Sequence, residues 1–360
     1  MHAAVAKPIH PRASIPPVRP PPFLLRLASA LLLASTLAPT PLAALDKVTL
    51  ATNWKAEAEH GGFYQVIATG IYRRHGLDVT LRMGGPQVNN PQLLAAGVVD
   101  FNIGASSFAA LNYVKAGVPV ITVAAIFQKD PQVLIAHPGQ GNDTLEALKG
   151  KPILIAPSAR ATFWNFLRVR FGYTDDQIRT YTFNMAPFLA DKKAVQEGYL
   201  TSEPFTLQKA GVKPVVLVLA DHGFDSYSTT IECTRKLMET RPDLVQRFVD
   251  ASIEGWYSYL YGDPAPANAL IRRDNPEMTA DLIAYSIAAM RRHGVVDSGD
   301  ALTLGVGAMT DARWKSFAAS MIRAGVYPPT IDLSKAYTLR FVNKRVGMEL
   351  KNPRASRARP

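Results

Sequence analysis

A chain of 360 residues is long enough for two lobes, each with its own core. Its formal charge of +11 is concentrated at the ends: Lys7, Arg12, Arg19 and Arg26 precede residue 46 with no acid among them, and residues 344–360 hold six basic side chains against Glu349. The body between is close to neutral, which argues against a nucleic-acid surface, and the single cysteine, Cys233, excludes an intrachain disulfide framework and any CxxC zinc or redox site.

The N-terminus reads as an export signal. Residues 1–22 are basic and proline-rich, "FLLRLASALLLASTLA" (23–38) is an apolar run, and "PTPLAALDK" supplies small residues, so cleavage is expected near Ala38 or Ala44 and residues 1–44 are assigned to a signal peptide. The apolar run is short for a membrane span and is interrupted by Arg26. No cysteine follows it to carry a lipid, so a soluble periplasmic resident is expected.

The body begins with "KVTLAT" (47–52), whose β-branched alternation predicts a strand. "GFYQVIATGIYRRHG" (62–76) spaces Phe63, Val66, Ile67 and Ile71 as a helix does, with Gly76 as a left-handed terminus. "LDVTLRMG", "DFNIGA" (100–105) and "VPVITVAAIF" (118–127) predict further strands, the last two separated by a helix around Phe108–Lys115. Such alternation implies an α/β sheet with helices on both faces.

The pattern restarts after "DPQVLIAHPG" (130–139). A short helix and a strand are expected in "DTLEALKGKPILIAP", and a helix N-capped by Ser158 in "SARATFWNFLRVRFG". "IRTYTFN" predicts a strand, "FLADKKAVQEGYLTSEP" a helix running into a turn, and "KPVVLVLAD" (213–221) a closing strand. Beyond Thr229 the sequence reads as mainly helical, and "NPRASRARP" ends it as part of a disordered basic tail, 346–360.

The densest chemistry lies in "ATNWKAEAEHGGFYQ" (51–65). "HGG" is the pattern of an esterase oxyanion loop, but no G-x-S-x-G elbow accompanies it, and "GASS" (104–107) lacks the second glycine. Glu57, Glu59 and His60 have no HExxH and no second nearby histidine, so no metal site is expected, and no phosphate loop of the G-x-x-x-x-G-K-[ST] form occurs. Without a catalytic partner the loop reads as recognition. Trp54 and Tyr64 offer flat faces with a polar edge, and His60 both donates and accepts hydrogen bonds.

Several segments together resemble one family. "NWKAEAEHGGFYQVIATGIYRRHGLDVTL" (53–81), "LLAAGVVDFNIGAS" (93–106), "GVPVITVAAIF" (117–127), "LEALKGKPILI" (145–155), "SEPF" (202–205) and "RPDLVQRFVDASIEGW" (241–256) are similar to the periplasmic substrate-binding proteins of ABC importers. The likeness is to the branch that includes alkanesulfonate binders and thiamine-pyrimidine-precursor proteins, and it spans most of residues 46–260. It implies a type II periplasmic-binding-protein fold of two α/β lobes joined by two crossover segments, with ligand in the cleft between them. The crossovers fall near 128–136 and 221–229. Lobe 1 is then discontinuous (45–135 and 223–345) and lobe 2 is 136–222.

The resemblance also implies a monomer that delivers a small molecule to an inner-membrane permease and its ATPase, with no cofactor, metal or chemistry of its own. The ligand residues expected on this basis are Trp54, His60 and Tyr64 from the first loop, Ser106 and Ser107 after a strand end, Ser158, Asn184 and Glu203 from the second lobe, and Phe127 and Tyr227 near the crossovers. A planar nitrogen heterocycle suits this set, in particular formylaminopyrimidine or hydroxymethylpyrimidine. Riboflavin or a sulfonate are the alternatives within transport. Fungal pyrimidine-forming enzymes of similar fold hold a lysine and a reacting histidine in the segment matching "IGASSFAAL" (103–111), and this chain has neither there.

Overall fold

The computed structural model describes residues 44–85 and 88–351; the expected export signal and residues 352–360 of the tail lie outside them. The first sheet has the order β2-β1-β3-β10-β4, built from β1 (Asp46–Ala51), β2 (Leu77–Arg82), β3 (Phe101–Ser106), β4 (Val120–Phe127) and β10 (Ser228–Thr234). β1 pairs in parallel with β2 and β3, whereas β10 enters antiparallel between β3 and β4. The second sheet has the order β7-β6-β8-β5-β9, from β5 (Gln132–Ala136), β6 (Ile153–Ile155), β7 (Ile178–Thr180), β8 (Val195–Tyr199) and β9 (Val215–Val218). The chain leaves the first sheet after β4, enters the second on β5, and returns from β9 to β10.

Helices cover the sheets. The principal ones are α1 (Gly61–Ala68), α2 (Ser107–Ala116), α3 (Phe163–Phe171), α4 (Glu203–Lys209), α5 (Pro242–Tyr261), α6 (Ala265–Asp274), α7 (Ala280–Arg292) and α8 (Asp311–Arg323). None in the described residues is long and apolar enough to cross a membrane. α5 lays Phe248 face to face on Phe101 of β3, with ring centroids 3.9 Å apart, and Tyr72 stacks on the other side of Phe248 at 5.2 Å. Trp256 of α5 meets Phe63 and Phe127 edge-on at 5.8 and 5.5 Å. Burying such rings supplies much of the driving force for this half of the molecule.

Several elements differ from expectation. "AVQEGYL" is a strand, β8, not part of a helix; the helix before it stops at Ala190. Val195, Glu197 and Tyr199 alternate with Gln196 and Gly198, and β-sheet pairing on both edges overrides the mixed polarity of the run. "STTIECT" forms β10, a strand where the mainly helical pattern beyond Thr229 predicts none. Ser158 is exposed and caps nothing, because a short 3-10 turn (Pro157–Ala161) intervenes and α3 is entered from Thr162. The helix expected over 62–76 is broken at Gly70, whose φ is +70°. Residues 348–351 fold as a 3-10 turn rather than a disordered tail, held by Lys351 bonding Asp297 at 2.6 Å.

One buried group gives the first sheet a pH dependence. Glu232 on β10 is fully buried and accepts hydrogen bonds from Asn102 at 2.9 Å and Tyr113 at 3.0 Å. Burial raises its pKa to about 7, against the opposing effect of those bonds. A carboxyl with a raised folded pKa contributes stability that is full below its unfolded pKa and is lost as pH rises through its folded one. The melting temperature of Glu232→Gln should therefore vary less between pH 4.5 and pH 8 than that of the wild type, a range read from ordinary glutamate behaviour and this shift. Parallel melting curves for the two proteins across that range would refute the assignment.

Candidate functional site

The loop after β1 meets the loops after β7 and β8 where the two sheets adjoin, through Trp54 against Phe183 and Thr201 donating to Glu59. The loop after β1 is tied down on three sides. Thr52 donates its hydroxyl to the Trp54 carbonyl at 2.7 Å, and the Gly84 N–H reaches the same carbonyl at 3.2 Å. Asn275 bonds the Ala56 carbonyl at 2.8 Å and Lys55 pairs with Glu277 at 3.1 Å, fixing the loop to the segment after α6.

The two glycines of "HGG" have a packing role. α1 crosses α5 so closely that a Cβ on Gly61 would lie 2.0 Å from the Tyr259 ring, and one on Gly62 2.3 Å from the Trp256 ring. Gly255 faces them from α5, where a Cβ would lie 1.9 Å from Val66. This contact sets the start of α1, and with it the position of His60.

His60 is buried and faces Asn53 through Nε2 at 2.9 Å. Burial lowers its pKa to about 3, against a backbone bond at Lys55 that raises it, so the ring is neutral at neutral pH. Nε2 faces the Asn53 amide oxygen, an arrangement that suits a ring carrying its proton on Nε2.

Across the junction, Trp54 meets Phe183 with centroids 4.7 Å apart and ring planes tilted by 49°. Phe183, in the loop after β7, has φ +61° and is 46% exposed. A bulky residue in the left-handed region is strained, on the order of 1–3 kcal/mol. Tyr181 packs 5.2 Å behind Phe183 and donates to Glu203 Oε1 at 3.5 Å. Glu203 also accepts from the Tyr199 N–H at 2.7 Å, which holds its carboxylate at the end of β8. Thr201 donates to Glu59 from the opposite loop, and Ser286 of α7 donates to the Thr201 carbonyl at 2.7 Å.

The junction is acidic. Glu57 is raised well above the ordinary glutamate range, first by burial and then by the charges of Glu59 and Glu203. Glu203 is raised by burial and by Glu59, and Glu197 is raised to about 8 by burial, with Glu203 adding to the effect. Asp130, in the first crossover, is raised by burial to about 7, and Tyr199 feels its charge together with those of Glu57 and Glu59.

Of the residues expected at the site, Trp54, His60 and Glu203 come together around this junction. Ser106 and Ser107 stand at the start of α2; the Ser106 hydroxyl is buried without a partner among the described residues, while Ser107 accepts from the Tyr227 N–H at 3.0 Å. Ser158 and Asn184 are exposed on the second-lobe loops, and Asn184 accepts from the Ala186 N–H at 2.9 Å. Tyr64, Phe127 and Tyr227 have structural partners instead. Tyr64 donates to Asp274 at 3.2 Å, Phe127 packs on Trp256, and Tyr227 donates to Asp300 at 3.1 Å beneath the Arg313 guanidinium. Sequence reasoning did not select Phe183, Tyr181, Tyr199, Glu197 or Asp130. Asp130 carried a signal, a carboxylate between the two apolar runs that become β4 and β5; the others carried none.

Among the described residues no group of side chains suits a metal ion. Two surface grooves of about 710 and 750 Å³ lie outside these loops; the first is lined by Glu146, Lys149, Arg170 and Asp221, and the second mixes Lys115, Arg168 and Arg323 with neutral side chains.

Comparison with known proteins agrees with this architecture. The alkanesulfonate-binding protein SsuA from Xanthomonas axonopodis pv. citri, bound to MOPS, superposes with a TM-score of 0.61 at 12% identity, covering 82% of this chain and 99% of that one. The aliphatic sulphonate-binding SsuA from Escherichia coli gives 0.62 at 12% identity, over 81% and 91%. The desulfurization enzyme DSZB shares the fold at a TM-score of 0.55 and 13% identity, over 87% and 100%. These likenesses show a periplasmic-binding-protein fold, with two lobes and two crossovers as expected. The riboflavin-binding protein RibY of Chloroflexus aurantiacus is 26% identical over 320 residues, which is 86% of this chain and 90% of that protein. The model of the family described as NMT1/THI5 like matches residues 57–267, from the acidic loop after β1 through β10 and α5 into α6, and the chain belongs to that family.

Proposed function

We propose that the protein is an exported solute-binding component of an ABC importer. It captures a small planar nitrogen heterocycle between its lobes (45–135 with 223–345, and 136–222) and delivers it, as a monomer, to a membrane permease and its ATPase. The observation that carries this reading is the Trp54–Phe183 pair beside Glu57, Glu59 and Glu203. Flat rings from two lobes stack on a planar ligand, and a carboxylate accepts from an exocyclic amine. A thiamine pyrimidine precursor, formylaminopyrimidine or hydroxymethylpyrimidine, has both features.

Riboflavin is the second reading. It is favoured by the similarity to RibY across most of both chains, and its ring system also stacks. A sulfonate fits less well, because the carboxylates would repel it. A pyrimidine-forming activity lacks its reacting lysine and histidine in residues 103–111.

Calorimetry on the mature protein tests the reading. Trp54→Ala should weaken the native ligand by about 1–3 kcal/mol, tenfold or more in affinity. Glu203→Gln should weaken an amino-substituted ring at least as much, since a charge-assisted bond becomes neutral. Folded variants that bind formylaminopyrimidine, hydroxymethylpyrimidine and riboflavin as the wild type does would overturn the assignment of this wall.

A further inference from the structure

Glu197 lies on β8, opposite Leu134 of β5 and two residues before the strand's end. It is 6% exposed, and its Oε2 has no hydrogen-bond partner among the described residues. The Ala156 backbone N–H faces the carboxyl from the end of β6, and Glu203 lies close enough for its charge to act on it. Tyr181 stands within the influence of both carboxylates, and it packs against Phe183, the ring that meets Trp54. Nearby cations are engaged elsewhere: Lys55 with Glu277, Lys129 with Asp221, and Arg313 with Asp225. Among the described residues no lysine or arginine pairs with Glu57, Glu59, Glu197 or Glu203, and only His60, neutral here, stands near Glu57 at 3.8 Å.

Ionising a buried carboxyl whose oxygen lacks a donor is costly, and the cost grows with each further acid beside it, so the empty cleft keeps Glu197 largely protonated and a ligand N–H favours its ionised form. A fold that keeps such an oxygen at a ligand cleft gains from any bound group that supplies an N–H. Glu203 already has two donors from the protein, Tyr199 and Tyr181, whereas Oε2 of Glu197 has none. We propose that Glu197 is the principal specificity residue of the cleft, taking a ligand N–H on its free oxygen and excluding ligands that carry an anionic group. This rests on the cleft being the ligand site. It differs from that reading by assigning discrimination to Glu197 rather than to the stacking wall. The sulfonate binders of similar fold would thus differ from this protein in the sign of charge their clefts accept.

The test is calorimetry of mature wild type, Glu197→Gln and Glu197→Asp against hydroxymethylpyrimidine, riboflavin, spermidine and MOPS, with a melting curve for each protein. The expected result is that the wild type binds at least one of the first three and not MOPS. Glu197→Gln should lose tenfold or more in affinity for that ligand without losing thermal stability, because burial already holds the carboxyl largely protonated in the empty cleft and the neutral amide matches that form. Glu197→Asp, which keeps an ionisable carboxyl but withdraws it, should retain more affinity than Glu197→Gln. If a heterocycle binds the wild type and Glu197→Gln equally, the role of Glu197 is wrong while the heterocycle reading stands. If spermidine binds in a Glu197-dependent way and neither heterocycle does, the heterocycle reading fails and Glu197 keeps its role. Binding of MOPS by the wild type at an affinity matching the others overturns the exclusion.

Discussion

Gly62→Ala is expected to be among the most damaging single substitutions in the protein, costing about 3 kcal/mol or more. A Cβ there would lie 2.3 Å from the Trp256 ring, well inside contact distance. Neither side can yield cheaply. The glycine sits in the first turn of α1 with its backbone fixed, and Trp256 is fully buried between Phe63, Phe127 and Tyr259. Overpacking usually costs 1–3 kcal/mol, and the upper end applies where backbone must move. Chemical denaturation of the purified protein measures it directly. An unchanged midpoint would mean that the two helices are not in close contact. Because α1 begins beside His60, loss of ligand affinity should accompany even partial retention of the fold.

The second large effect is the removal of the ring itself. Trp256→Ala should cost about 3–5 kcal/mol, the range for deleting a large aromatic from a packed interior. The two substitutions address one contact, so they should not add. In the double variant the alanine methyl at position 62 enters the space that the indole has left, and its destabilisation should be smaller than the sum of the single changes. Simple additivity in the double-mutant cycle would show that the glycine and the tryptophan are independent.

That pair also shows where sequence reading stops. "HGG" carries a visible signal, but the reason for the glycines stands far along the chain at Trp256 and Tyr259, and nothing in the loop points to them. The parallel strands β1, β2, β3 and β4 were legible because their apolar alternation is undiluted. β8 and β10 were not. Each is a buried strand that carries a glutamate, Glu197 or Glu232, and each is short in apolar residues, so its identity comes from the neighbours on both edges rather than from its own composition. Trp54, His60 and Glu203, which the fold brings to the junction, stand out in the sequence because their chemistry is unusual for a loop or turn. Phe183 was missed because its importance lies in a left-handed backbone that turns the ring toward Trp54, and no residue type announces that conformation. Tyr64 and Phe127 illustrate the opposite error. An aromatic near a strand end is equally at home in a core, and helices α5 and α6 supply that core from the second half of the chain.

The threading of β10 between β3 and β4 bears on how the chain acquires its structure. The second sheet draws all its strands from one continuous stretch, Gln132 to Val218, so its pairings close over short separations. The first sheet cannot be completed in that order. β3 and β4 are made early, yet they stay apart until Ser228–Thr234 arrives to fill the gap between them, and the face of β3 remains uncovered until Phe248 reaches Phe101. Closing such long loops is slow relative to local pairing. A chain emerging from its N-terminus therefore carries a half-built first sheet while the second matures, and its final cooperative closure waits on the helices after residue 241. If the chain is exported as proposed above, this order of events keeps its N-terminal half loose during the interval in which looseness is useful.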